Sequence, residues 1–108
     1  MGFVVQKRNE DFTDKNYRER LNSANGVLIF FKKNCPACKA LDKMLEKFFS
    51  GHPDVPYLGI DCDVCPGAVK EYDIVKIPTL VLFEKGQVTA RKAGLMNLKG
   101  MEAFYGSN

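Results

Sequence analysis

The sequence predicts an α/β fold in which helices flank both faces of one mixed β-sheet. Strand-like and helix-like patterns alternate along the chain in the order β-α-β-α-β-α-β-β-α. The run VLIFF at 27–31 has no polar alternation, which is typical of a strand buried on both faces. Because short right-handed connections join such strands, we expect the middle strands to be parallel.

The first two elements precede this buried strand. The short apolar run FVVQ at 3–6 suits an edge strand. Residues 9–26 then predict a helix that stops at Asn25-Gly26, since its apolar residues recur at helical spacing: Phe12, Tyr17 and Leu21.

The strongest helix signal follows the CPAC turn at 35–38. Across residues 39–51, KALDKMLEKFFSG, apolar side chains recur about every four residues, which predicts an amphipathic helix that ends near Gly51.

The C-terminal half contains the remaining elements. VPYLGI at 55–60 indicates another buried strand, and Pro66 suits the first turn of a short helix. Strand runs at 80–83 and 88–92 surround Lys85-Gly86, a hairpin signal. The last helix is predicted from apolar spacing: Leu98, Met101, Phe104 and Tyr105.

Composition narrows the class of protein. A chain of 108 residues fits one domain, 1–108, and its hydrophobic fraction of 45% and charged fraction of 27% are those of a soluble globular protein. The net charge of +3 comes from lysines interspersed with acids, so nucleic-acid binding is not indicated. We find no secretory signal and no apolar run long enough for a membrane span, and therefore expect a reducing, cytoplasmic location.

The first cysteine pair lies where a buried strand gives way to a helix. A helix N-terminus stabilises a thiolate, so we expect the pKa of Cys35 to lie well below that of a free cysteine. The three-residue spacing brings Cys38 within disulfide reach but leaves it more buried. Cys35 is then the nucleophile that attacks a substrate disulfide, and Cys38 is the thiol that resolves the mixed disulfide.

Two stretches of the chain, VLIFFKKNCPACKAL and IPTLVLFEKGQVTARKAG, resemble the thioredoxin family most specifically. The resemblance extends over nearly the whole chain. The resemblance implies a thioredoxin fold and a thiol-disulfide oxidoreductase with no bound cofactor. It also implies that Pro78 is a cis-proline facing the CPAC turn, that the backbone of Ile77 pairs with an extended substrate segment, and that Gly94 leaves room for that segment. The partners it implies are protein disulfides and, as electron donor, a flavoprotein thioredoxin reductase or glutathione.

The sequence departs from the family pattern at several positions. Thioredoxins have Trp-Cys-Gly-Pro-Cys, whereas this chain has Asn34 before a Cys-Pro-Ala-Cys centre. The family's buried aspartate is Ile29 here, its lysine partner is Tyr57, and Lys43 stands at the helix-kink proline. The internal proton acceptor for Cys38 is therefore expected to be absent, and the reduction potential of ordinary thioredoxins cannot be transferred to this chain.

A second pair, Cys62 and Cys65, has the same spacing and should emerge at the same sheet edge. Three interpretations stay open: inert thiols or an occasional local disulfide, an auxiliary redox couple, or a joint metal site with Cys35 and Cys38. The last of these would make the protein a non-enzymatic zinc-binding or redox-sensing module.

Overall fold

The computed structural model describes residues 12–22 and 24–106. The edge strand expected at 3–6 lies outside these residues. The elements in the described part of the chain are α1 Tyr17–Leu21, β1 Gly26–Phe31, α2 Pro36–Ser50, β2 Tyr57–Asp61, α3 Pro66–Glu71, β3 Thr79–Glu84, β4 Gln87–Ala93 and α4 Leu98–Gly106.

The four strands form one mixed sheet in the order β2-β1-β3-β4. β1 and β2 are parallel, as expected, with Phe31 opposite Asp61 at their carboxyl ends. β3 instead runs antiparallel to β1, and β4 antiparallel to β3. The helix in the connection is short: the six residues of α3 span only about 9 Å and do not return the chain to the opposite edge, so β3 begins at the edge where β2 ended. Thr79, the first residue of β3, lies opposite Phe30 near that edge.

The hairpin between β3 and β4 turns at the predicted dipeptide. Lys85 and Gly86 both have positive φ, 51° and 81°, which is the conformation of a two-residue type I′ turn. The amide of Gly86 donates to the carbonyl of Ala24 at 2.9 Å, and the amide of Lys85 donates to the side-chain oxygen of Asn25 at 2.9 Å. The turn is thereby attached to the segment that leads into β1.

The sheet separates two apolar cores, because successive side chains of a strand point to opposite faces. The α2 core, on the face covered by α2 and α4, contains Val27, Ile29, Phe31, Cys38, Leu41, Leu45, Phe48, Phe49, Tyr57, Leu80, Leu82 and Met101. The α3 core, on the face covered by α1 and α3, contains Phe12, Tyr17, Leu21, Leu28, Phe30, Ile60, Cys62, Cys65, Ala68, Ile74, Val81 and Phe83.

The first helix is shorter than the sequence predicts. It ends at Leu21, where the amide of Asn22 donates to the carbonyl of Glu19, and Gly26 already belongs to β1 with a φ of 110°. The expectation that the helix continues to Gly26 is therefore wrong, although Phe12, Tyr17 and Leu21 are all buried as their spacing indicates. No helix in the described ranges is long and apolar enough to cross a membrane.

Candidate active site

Cys35 is the N-cap residue of α2. Its backbone is extended, with φ −126° and ψ 105°, and Pro36 occupies the first helical position. The amide of Cys38 donates to Cys35 Sγ at 3.1 Å. The first turn contains no acidic residue. One free amide of the first helical turn therefore faces the sulfur atom, and this arrangement stabilises negative charge on it.

Cys35 and Cys38 form a disulfide, with their Cα atoms 5.2 Å apart. The two residues differ in exposure. Cys35 is partly exposed, whereas Cys38 is 3% exposed and belongs to the α2 core. A molecule that approaches from solvent thus reaches one sulfur of the pair before the other.

The peptide bond between Ile77 and Pro78 is cis. The amide of Gly94 donates to the carbonyl of Pro78 at 2.8 Å, so the start of β3 and the end of β4 are joined beside the bond. Gly94 has a φ of 89°, and a side chain added there would meet no atom within 4 Å. Ile77 packs against both cores, and Cys35 packs against the α2 core. The Ile77–Pro78 segment and the disulfide therefore both border the α2 core.

Residues 8–106 match the family model described as Thioredoxin. The chain belongs to the thioredoxin family. It is 32% identical to the thioredoxin of Chlamydia trachomatis serovar D over 83 residues, which cover 77% of this chain and 81% of that one. It is 31% identical to the thioredoxin of Buchnera aphidicola over 101 residues, covering 91% and 94% of the two chains.

A solved structure agrees with this membership. The reduced form of desulfothioredoxin from Desulfovibrio vulgaris Hildenborough superimposes with a TM-score of 0.80 at 30% identity, covering 92% of this chain and 96% of that one. Members of the thioredoxin family are disulfide oxidoreductases, and this chain, with its Cys35–Cys38 pair, is a thiol-disulfide oxidoreductase of the thioredoxin fold.

The second cysteine pair of this thioredoxin lies at the same sheet edge but on the other face. The amide of Cys62 donates to the carbonyl of Phe31 at 2.8 Å, immediately beyond the paired ends of β1 and β2. Both Cys62 and Cys65 are free thiols in the α3 core, 7% and 0% exposed. The sequence signal for the placement of Cys62 is the alternation along β2. Leu58 and Ile60 face the α3 core, and Cys62, two residues after Ile60, faces the same side.

Burial sets the chemistry of these two thiols. It raises the pKa of Cys62 to about 11, against a smaller lowering effect from Lys32. Burial also raises the pKa of Cys65, and the carboxylates of Asp14 and Asp61 add to this effect. Both thiols are therefore protonated at neutral pH and are poor nucleophiles.

A joint metal site is not supported. The disulfide lies against the α2 core, whereas Cys62 and Cys65 lie in the α3 core on the other side of the sheet. The described part of the chain contains no group of three or more His, Cys, Asp or Glu residues that could hold a metal ion. The zinc-binding module is accordingly not favoured over the thioredoxin assignment.

Two of the departures from the family pattern make new contacts. Ile29 is fully buried in the α2 core, where Cys38 also lies. The hydroxyl of Tyr57 donates to Asp42 Oδ1 at 2.9 Å, and its ring stacks on Phe49. No sequence pattern pointed to Asp42, which lies one helical turn after Cys38. The only feature that marks Asp42 in the sequence is its position as an acidic residue directly after the apolar Leu41.

Proposed function

We propose that this thioredoxin exchanges disulfides with protein substrates, with Cys35 as the nucleophile and Cys38 as the resolving thiol. The Cys35 thiolate attacks one substrate sulfur, and the other substrate sulfur leaves as a thiolate that takes a proton from solvent. Cys38 then loses its proton, attacks the Cys35 sulfur and displaces the second substrate thiol. Two electrons have passed to the substrate, and the Cys35–Cys38 disulfide has formed.

The observation that carries this assignment of roles is the difference in exposure between the two sulfur atoms. Cys35 is partly exposed at the N-terminus of a fifteen-residue helix, and Cys38 is 3% exposed. Only the first can meet a protein disulfide directly. The second is held within reach of the first, as resolution requires.

The substrate segment is proposed to lie along Ile77, Pro78 and Gly94. Among the described residues, the amide and carbonyl of Ile77 have no backbone hydrogen-bond partner, so both are free to pair with an extended chain. The open space beside Gly94 accommodates that chain.

We also propose an electron donor and a cellular location for the reaction. Thioredoxins are typically reduced by thioredoxin reductase or by glutathione systems, and a flavoprotein thioredoxin reductase or glutathione is the proposed donor here. We place the reaction in the cytoplasm, within a single domain at 1–108 that uses no bound cofactor. Reduction by purified thioredoxin reductase with NADPH, set against reduction by glutathione, distinguishes the two donors.

The proposal is tested by insulin-disulfide reduction with dithiothreitol as the electron source. The parent should accelerate reduction, and Cys35→Ser should abolish the acceleration. Cys38→Ser, reduced, freed of dithiothreitol and then mixed with insulin, should instead accumulate a mixed disulfide between Cys35 and the substrate, visible on a non-reducing gel. A parent protein without activity, or a covalent complex formed by Cys35→Ser, would contradict the assignment.

An auxiliary redox role for Cys62 and Cys65 stays a separate prediction. Their burial argues for slow exchange, because neither thiol is accessible or ionised at neutral pH. The double variant Cys62→Ala/Cys65→Ala decides the matter. A changed rate or potential of the Cys35–Cys38 couple supports the role, and values equal to those of the parent eliminate it.

A further inference from the structure

The charged residues closest in sequence to the reacting groups are all lysines. Residues 26–41, which contain the disulfide, include three lysines and no Asp or Glu. The stretches 74–83 and 92–97, which contain the cis-proline and Gly94, each include one lysine and no acid. We call these five exposed residues the lysine rim: Lys32, Lys33, Lys39, Lys76 and Lys92.

Several contacts place the rim around the site. Lys33 is two residues before Cys35, and the amide of Lys39 donates to the carbonyl of Cys35 at 3.1 Å. Lys76 directly precedes Ile77. Lys92 pairs with Leu80 across the sheet, one position from the Thr79–Ala93 pair beside the cis-proline. Positive charge therefore lies both on the turn of α2 that contains the disulfide and on the β3–β4 side, beside the cis-proline.

The carboxylates at this edge only partly offset the rim. Asp61 and Asp63 lie on the turn at 61–65, where Asp61 is 5% exposed and accepts from the amide of Asp63, and Asp14 accepts from the amide of Gly67 just beyond it. Asp63 itself lies 3.9 Å from Lys32 Nζ. Within the described chain, the other four rim lysines have no ion-pair partner. Their charge is available to a molecule that docks at the site.

Apolar side chains are exposed beside these lysines. Val75 is 89% exposed, Leu95 is 57% exposed and Val64 is 45% exposed. Val75 and Leu95 are next to Lys76 and Gly94, on the two segments that join at the Pro78 carbonyl. The surface beside the cis-proline thus combines exposed apolar side chains with positive charge that the nearby carboxylates only partly offset.

We propose that the preferred substrates are protein disulfides flanked by acidic residues. This inference rests on the proposed function, since it concerns the partner of the same Cys35–Cys38 site. Carboxylates beside the substrate disulfide complement the rim, which steers encounter and orients the segment along Ile77. The apolar residues of the segment contact Val75 and Leu95.

The test uses three peptides that share one intramolecular disulfide and differ only in their flanking pairs, Glu-Glu, Gln-Gln or Lys-Lys. The reduced protein, freed of dithiothreitol, is mixed with each peptide, and second-order rate constants are measured after acid quench. At low ionic strength we expect the acidic peptide to react about tenfold faster than the basic one. In about 1 M salt, where the Debye length is about 3 Å, that ratio should approach one.

Matched variants separate the rim from general surface charge. Lys33→Gln/Lys76→Gln should lower the acidic-to-basic ratio about threefold, because each solvent-exposed ion pair contributes only modestly. Lys47→Gln/Lys70→Gln removes the same charge at the C-terminal turns of α2 and α3, and should leave the ratio unchanged.

The outcomes distinguish this inference from the function on which it rests. Equal rates for the three peptides overturn the acidic preference and leave the oxidoreductase intact. A rim variant that slows all three peptides equally shows that the lysines act only on the Cys35 thiolate, which also overturns it. Failure to reduce any peptide contradicts both proposals.

Discussion

The cysteines of this thioredoxin show how position decides the chemistry of one residue type. Cys35 lies at a helix N-terminus with a donor 3.1 Å from its sulfur, whereas Cys62 follows a strand and is 7% exposed. The first environment favours a thiolate, and the second raises the pKa of the thiol to about 11. Identical spacing in the sequence therefore does not imply identical reactivity.

Cys62→Ala should change how stability depends on pH. A thiol whose folded pKa lies above its unfolded pKa contributes stability that is fully present below the unfolded value, near 9, and lost as pH rises through about 11. The parent should lose about 2 kcal/mol relative to Cys62→Ala across this interval. Urea unfolding at several pH values, with the Cys35–Cys38 disulfide intact, measures the difference.

Val64→Ala serves as the control, since it changes an exposed neighbour that does not titrate. Its free energy of unfolding should follow the parent across the same pH range. A constant difference between the parent and Cys62→Ala would show that the thiol does not ionise differently in the folded protein.

At the scale of the element, the β3–β4 hairpin depends on one glycine. Gly86 has a φ of 81°, and a methyl group added there would collide with the backbone oxygen of Asn22. The hairpin holds Gly94 beside Pro78, because both residues lie at its open end. A turn at one end of the sheet therefore supports the site at the other end.

Gly86→Ala should destabilise the protein by about 2 kcal/mol or more, because both the backbone conformation and the space are unfavourable. Thermal unfolding followed by circular dichroism measures the loss. Gly106→Ala is the matched change, since no atom lies within 4 Å of the added methyl group. It should be close to neutral, and equal losses in the two variants would refute the argument.

At the scale of the whole molecule, one sheet separates two cores, and the α2 core contains an apolar residue where the family has a buried acid. Ile29 is fully buried, and Tyr57, at the position of the family's lysine, donates to Asp42 instead. No lysine or arginine is buried among the described residues, so a carboxylate at position 29 would meet no buried cation. The apolar residue at position 29 and the tyrosine at position 57 thus fit together, because the family's acid and its lysine partner are both replaced.

Ile29→Asp should destabilise the fold in a pH-dependent way. Burial without a partner raises the pKa of the introduced carboxyl group, so the folded state favours its protonated form. The loss of stability therefore grows as pH rises from the unfolded pKa through the folded one. Ile29→Asn should be destabilised by about 3 kcal/mol at every pH. Parallel curves for the two variants in urea unfolding from acid to neutral pH would rule out this reasoning.

Local patterns predicted much of this architecture. The Cys35–Cys38 unit, the Lys85-Gly86 turn and the shared edge of the two parallel strands follow from residue type and spacing. The end of α1 and the reversed direction of β3 did not, because both depend on how the connections pack. The Tyr57–Asp42 hydrogen bond joins a strand to a helix and has no local signature.

The burial of Cys38, Cys62 and Cys65 has a practical consequence for handling the protein. Once reduced, the chain presents a single accessible sulfur, at position 35, out of the four cysteines it contains. A maleimide resin or spin label applied briefly at neutral pH should attach at one defined point without any prior mutation. Because the label occupies the sulfur that attacks substrates, its attachment should abolish insulin reduction in step with its incorporation.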